Sequence, residues 1–139
     1  AAFRGTDNTL VGWKEDFNMS FQEAVPAQRL AVEYVEMLHE HYHLPMSVCG
    51  HSKGGNLAMY AAAMSSPEVR QRIQGVYNND GPGFQEHMLT TPGYLEMVPR
   101  IHTFVPQSSI IGMLMEHAEP YRVIKSTQVG IMQHDVFTQ

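Results

Sequence analysis

One serine in this chain stands in a pattern that carries chemistry. Gly50-His51-Ser52-Lys53-Gly54 has the G-x-S-x-G spacing of a nucleophile elbow, a sharp strand-to-helix turn that lifts the serine Oγ above a sheet. The glycines at both ends lack Cβ atoms, so strand and helix can approach closely there. A plain Gly-Ser loop ahead of a core helix is the alternative. A hydroxyl is a weak nucleophile by itself, so such a site also requires a base, an acid that orients it, and N–H donors for the oxyanion. His134 lies in a C-terminal loop. Asp80 opens the turn Asp80-Gly81-Pro82-Gly83 at the end of a strand, where it either joins the site or makes an Asx-type turn. Oxyanion donors in such an elbow are the N–H after the nucleophile, here Lys53, and one from a loop after an earlier strand. Thr6, following Gly5, is placed for the second, or is an ordinary turn threonine.

The elements that must position these residues alternate between strand and helix. Ala1-Ala2-Phe3-Arg4 reads as the end of a strand whose start is missing, so the chain is expected to be an N-terminally truncated fragment of a longer protein. Trp13 and Phe17 are spaced to share a helical face, with Trp13 as a packing residue. Asp16 is placed to cap or to pair with Arg4. The clearest helix runs from Pro26 to Tyr42, with Ala31, Tyr34, Val35, Leu38 and Tyr42 on one stripe. Its end, His39-Glu40-His41-Tyr42-His43, suits exposed histidines complementing the helix dipole better than a metal site, because positions two apart point to different sides. Leu44 to Cys49 reads as a buried strand, and Asn56 to Met64 as an alanine-rich helix. A short helix at Pro67, a strand Ile73–Asn79, a helix Thr91–Val98 and a strand Arg100–Val105 follow. Ile110 to Met115 reads as a very apolar helix, either core or the lining of an acyl pocket. Tyr121 to Ser126 reads as the last strand. This alternation predicts one α/β domain over residues 1–139, with a largely parallel sheet and flanking helices.

Composition narrows the function. The 139 residues suffice for one domain that buries about two-thirds of its unfolded surface. A hydrophobic fraction of 43% marks a globular chain. A net charge of −5 without a basic patch argues against nucleic acid, and no apolar run approaches the roughly 20 residues of a membrane span. Cys49 is the only cysteine, so no internal disulfide forms, and together with the lack of a signal-peptide pattern this suggests the cytoplasm. Ten methionines fit an adaptable apolar pocket or ordinary core filling.

These residues resemble the α/β-hydrolase superfamily and, within it, the class 3, fungal-type triacylglycerol lipases. The resemblance rests on Phe3-Arg4-Gly5-Thr6, Trp13, Asp16 and Gly50-His51-Ser52-Lys53-Gly54-Gly55. Closer still, the chain looks like a bacterial lipase-like family called Mbeg-like. The shared stretches are Phe3 to Asp7, Gly12 to Phe17, Asn79 to Phe84 and Gln133-His134-Asp135. The resemblance implies a serine hydrolase acting on carboxylic esters of lipid-like character, with no metal or organic cofactor. Ser52 would be the nucleophile, His134 the base, and the backbone N–H groups of Thr6 and Lys53 the oxyanion hole. Class 3 lipases carry the acid after the strand that is here Arg100 to Val105, but Pro106-Gln107-Ser108-Ser109 offers no carboxylate. Asp80 preserves the order Ser, Asp, His of the fold; Asp135, adjoining His134, ranks second. Lys53 replaces an apolar residue, and its side chain is expected to face solvent or an anionic head group. The alternatives are a degenerate hydrolase fold serving as a binding module, and an acyl-thioesterase or peptidase on the same site.

Overall fold

A computed structural model describes residues 1–5 and 25–139. In chain order it contains β1 (Ala2–Phe3), α1 (Pro26–Tyr42), β2 (Met46–His51), α2 (Lys53–Met64), α3 (Pro67–Arg72), β3 (Ile73–Asn79), α4 (Glu86–Leu89), α5 (Pro92–Met97), β4 (Ile101–Pro106) and β5 (Tyr121–Ile124). Short 3₁₀ turns occupy Val98–Arg100, Gly130–His134 and Val136–Thr138. The expected α/β class with a parallel sheet is what the chain adopts. The five strands lie in the order β1-β2-β3-β4-β5, every neighbouring pair parallel. Among the described residues no helix is long and apolar enough to cross a membrane.

Each connection advances one strand in the same direction, and right-handed crossovers then place the helices on one face of the sheet. The register agrees with this. Val48 pairs with Val76 and Val76 with Ile101, and all three are buried. Their neighbours Cys49, Tyr77 and His102 point the other way; Tyr77 is 40% exposed and stacks on His102 at 5.2 Å.

Helix α2 is the centre of the packing. Nearly all of it is buried, including Ala58, Ala61, Ala62 and Ala63, because it is enclosed by the sheet, α1 and α5. Small side chains let it lie close. A Cβ on Gly50 would sit 2.1 Å from the Gly54 carbonyl oxygen, and one on Gly54 would sit 2.2 Å from that of Phe3. Helices α3 and α5 start on side-chain caps: Ser66 accepts from the Val69 N–H, and Thr91 from the Tyr94 N–H, each ahead of a proline.

Three sequence expectations are corrected. The α1 stripe is narrower than its spacing implies. Ala31 and Val35 are buried, but Tyr34 and Tyr42 are 42% and 59% exposed, and the polar Gln28 is buried instead. The reason is local: Gln28 lies in the first turn of α1, close enough to α2 to bond Asn56. Lys53 does not face solvent. It is buried at 8% exposure, because the elbow sets the first turn of α2 against the sheet end. Ile110 to Met115 is not a helix but a series of turns, with Ile110, Met113 and Leu114 about half-exposed. Two of its backbone groups bond outward: the Gly112 N–H reaches Asp80, and the Leu114 carbonyl accepts from the Gly83 N–H at 2.9 Å.

The close approach at α2 predicts that Gly54→Ala lowers unfolding free energy by about 1–3 kcal/mol, the usual effect of overpacking against backbone that cannot retreat. Urea unfolding of the variant beside the wild type measures it; equal stabilities would show that β1 and α2 can separate freely.

Candidate active site

Ser52 sits between β2 and α2 at φ 57°, ψ −132°, a conformation that L-residues rarely adopt. The four non-glycine residues with positive φ among the described residues include both Ser52 and Asp80 (φ 52°). Each stands just after its strand, and each is pinned to the next strand along. The Ser52 N–H donates to the Asn79 carbonyl at 2.9 Å, and the Asp80 N–H to that of Phe104 at 2.7 Å. Strained turns at adjacent carboxyl ends of a parallel sheet thus bring a hydroxyl and a carboxylate to one edge, where open α/β sheets build their sites. Lys53 opens α2 directly after the elbow serine.

His134 reaches the same edge from the C-terminal 3₁₀ turn. Its Nδ1 lies 2.6 Å from Asp80 Oδ2. Asp80 is fully buried, and its other oxygen, Oδ1, accepts from Ser109 Oγ and from the Gly112 N–H at 3.1 Å. The ring of His134 lies 4.6 Å from that of His51, the residue before Ser52. Asp135 points elsewhere: it is exposed, and its Oδ1 caps the final 3₁₀ turn by accepting from the Phe137 N–H at 3.0 Å. Thr6, Trp13 and Asp16 lie outside the described residues. Gly5, just before Thr6, packs against the elbow, where an added Cβ would come within 2.6 Å of the His51 carbonyl oxygen and 3.3 Å of Ser52 Cβ.

Several positioning residues escape sequence reasoning. Pro106-Gln107-Ser108-Ser109, which lacks a carboxylate, braces the site. The Gln107 amide pairs with the backbone of Ser126, the Ser108 N–H donates to Gln133 Oε1 at 2.8 Å, and Ser109 holds Asp80. Gln133, buried beside His134, thereby ties the histidine's turn to the end of β4. On the other side, Gln28 donates to Asn56 Oδ1 at 2.8 Å, and the Asn56 amide donates to the carbonyls of Pro82 and Gly83. Asn78 Oδ1 accepts from the Gly81 N–H at 3.0 Å. Buried amides therefore meet the polar backbone of the Asp80 turn, which would otherwise lose its hydrogen bonds on burial. The sequence signals available were amides beside apolar positions and a glycine, Gly112, inside an apolar run.

Burial first, and the neighbouring His134 charge second, hold the His51 imidazole below its ordinary value of 6.5; a hydrogen bond with the His134 backbone and the charges of Asp80 and Asp135 offset this only in part. The folded state therefore favours neutral His51. Above pH 6.5 folded and unfolded chains both hold it neutral, and it contributes no pH dependence. Below that value the unfolded chain takes up a proton that the folded chain resists, so stability falls as pH falls. Removing the imidazole with His51→Asn should make the acid-side decline in Tm shallower than in the wild type. Parallel declines from pH 6.5 downward would show that His51 is not held neutral.

No curated protein is similar enough in sequence to count as a relative. A model of the Mbeg1-like family matches residues 1–139, the whole of this sequence. On that match the chain belongs to the Mbeg1-like family.

Proposed function

We propose that the protein is a serine hydrolase that cleaves carboxylic esters of lipid-like character. The observation that carries this reading is the 2.6 Å contact between His134 Nδ1 and Asp80 Oδ2 beside a strained elbow serine. With Nδ1 turned to the carboxylate, Nε2 is the ring nitrogen left for Ser52. In the proposed reaction Nε2 takes the proton from Ser52 Oγ as the oxygen attacks the acyl carbon. The N–H groups of Thr6 and Lys53 receive the oxyanion. His134 then returns the proton to the leaving alcohol, and water releases the acyl group by the same steps in reverse. Asp80 keeps the imidazole in one tautomer and offsets its positive charge during the transfer. The lipid-like character is supported by Ile110, Met113 and Leu114, half-exposed apolar side chains flanking the Gly112 that bonds Asp80. The cytoplasm remains the proposed place of work, since Cys49 is a free thiol.

A fluorophosphonate probe applied to the full-length protein should label Ser52, and Ser52→Ala should abolish the label. Asp80→Asn should retain the fold and reduce ester turnover by about 10⁴-fold, because an amide stabilises the wrong imidazole tautomer. An unlabelled wild type would favour the binding-module reading. Rates on short esters, long esters, thioesters and peptides then separate the acyl hydrolases from one another.

A further inference from the structure

The proposed reaction makes no use of one buried acid and one buried imidazole, Glu119 and His117, in the loop between β4 and β5. Glu119 is 3% exposed. Its Oε1 accepts from Thr103 Oγ1 at 2.7 Å and lies 2.7 Å from His117 Nδ1, while its Oε2 accepts from the Tyr94 hydroxyl. Donors from β4, from α5 and from its own loop thus converge on one carboxylate. Burial pushes its carboxyl upward, but the hydrogen bonds from His117, Tyr94 and Thr103, with the charge of His117, outweigh burial and hold it below the ordinary 4.5. The partner responds in the opposite sense: burial first, and the charge of Glu119 second, drive the Tyr94 hydroxyl well above its usual range. Glu119 is therefore an ionised acceptor.

The second nitrogen of His117 completes the picture. Nε2 lies 2.8 Å from the carbonyl oxygen of Gly112. A carbonyl oxygen only accepts, so Nε2 of His117 is the donor in this contact. The residue whose carbonyl is held this way is the one whose N–H donates to Asp80 Oδ1 at 3.1 Å. A Cβ on Gly112 would lie 2.3 Å from that same Asp80 oxygen, so a larger residue would have to displace the carboxylate. A continuous set of hydrogen bonds runs from Glu119 through His117 and Gly112 to Asp80 and His134.

We propose that Glu119 and His117 are positioning residues for the acid of the site. This acid–imidazole pair clamps Gly112 so that its N–H, together with Ser109 Oγ, occupies Asp80 Oδ1 and, among the described residues, leaves Oδ2 to His134. The inference rests on the hydrolase reading, and it gives the loop after β4 a role other than supplying the acid. When the clamp opens, Asp80 loses a donor that stabilises its charge. More of the negative charge then falls on His134, and the imidazolium becomes harder to deprotonate. Among the described residues, the titratable and charged neighbours of the Asp80–His134 pair are His51 and Asp135, and those of Glu119 are His117 and Tyr94.

The test uses Glu119→Gln, His117→Gln and Tyr94→Phe in the full-length protein, with two readouts. The first is the pH dependence of fluorophosphonate labelling at Ser52. The second is proton NMR of the His134 imidazole through a pH titration, which requires no turnover. Glu119→Gln and His117→Gln are expected to move the acid limb of the labelling profile upward by about 0.5–1 pH unit. They should lower the labelling rate at neutral pH roughly 10-fold, the scale of a small misplacement of reacting groups. The His134 titration should move in the same direction. A smaller shift of the same sign is expected for Tyr94→Phe, which removes one hydroxyl and leaves the pair in place. If the variants lose only thermal stability, with the limb and the His134 titration unmoved, the pair is structural packing and the proposal is overturned. If the two glutamine variants do not fold, Tyr94→Phe decides by the same criterion. An unlabelled wild type overturns the hydrolase reading alone, and the His134 titration still decides whether the clamp acts on Asp80.

Discussion

A carboxylate with no exposure to water is the constraint on which this site depends. Removing a carboxylate from solvent costs several kcal/mol unless its lone pairs find donors, and Asp80 is fully buried. Among the described residues its donors come from three separate places: His134 from the C-terminal turn, Ser109 from the end of β4, and Gly112 from the loop beyond. None of the three is near Asp80 in sequence, so meeting the carboxylate gathers the whole C-terminal third of the chain over the ends of β3 and β4. The antiparallel bridge between Phe84 and Glu116 runs alongside the same gathering.

The other half of the molecule supplies rigidity beneath that edge. Helix α2 lies close to the sheet because glycine and alanine leave it room. Closeness has a consequence for Ser52: the strand and the helix leave the turn so tightly that its backbone is forced to positive φ. Such strain persists only where its surroundings over-determine it. Here these are the Asn79 carbonyl, which fixes the Ser52 N–H, and the Gln28–Asn56 amide pair, which joins α1 and α2 to the turn carrying Asp80. The two strained residues are thus held by one connected framework instead of two independent loops.

Where the sequence reading went astray, a long-range partner had displaced a local preference. Ile110 to Met115 has the apolar density of a helix, yet its amides and carbonyls serve Asp80, Gly83 and His117, and a helix would consume them internally. Tyr34 and Tyr42 fit the apolar stripe of α1 by spacing but remain exposed, while the polar Gln28 is buried through its bond to Asn56. Lys53 looks like a surface residue by composition, but its position in the first turn of α2 encloses its stem. In each case the local pattern was read correctly and the surroundings were not available to it.

By itself the sequence determined the alternation of strands and helices, the parallel sheet and the turn at Ser52. Those follow from short-range rules: apolar periodicity, glycine at close approaches, and proline and serine or threonine at helix starts. It also marked Asp80 and His134 as residues at the right ends of their elements. Only the tertiary structure decided that these two meet across 54 positions at 2.6 Å, that Asp135 turns away, and that Glu119 and His117 stand behind Gly112. Hydrogen bonds between distant segments depend on where whole elements stop relative to one another to within a few tenths of an ångström. No pattern of neighbouring residues encodes that distance, because it is set by the packing of every layer between them.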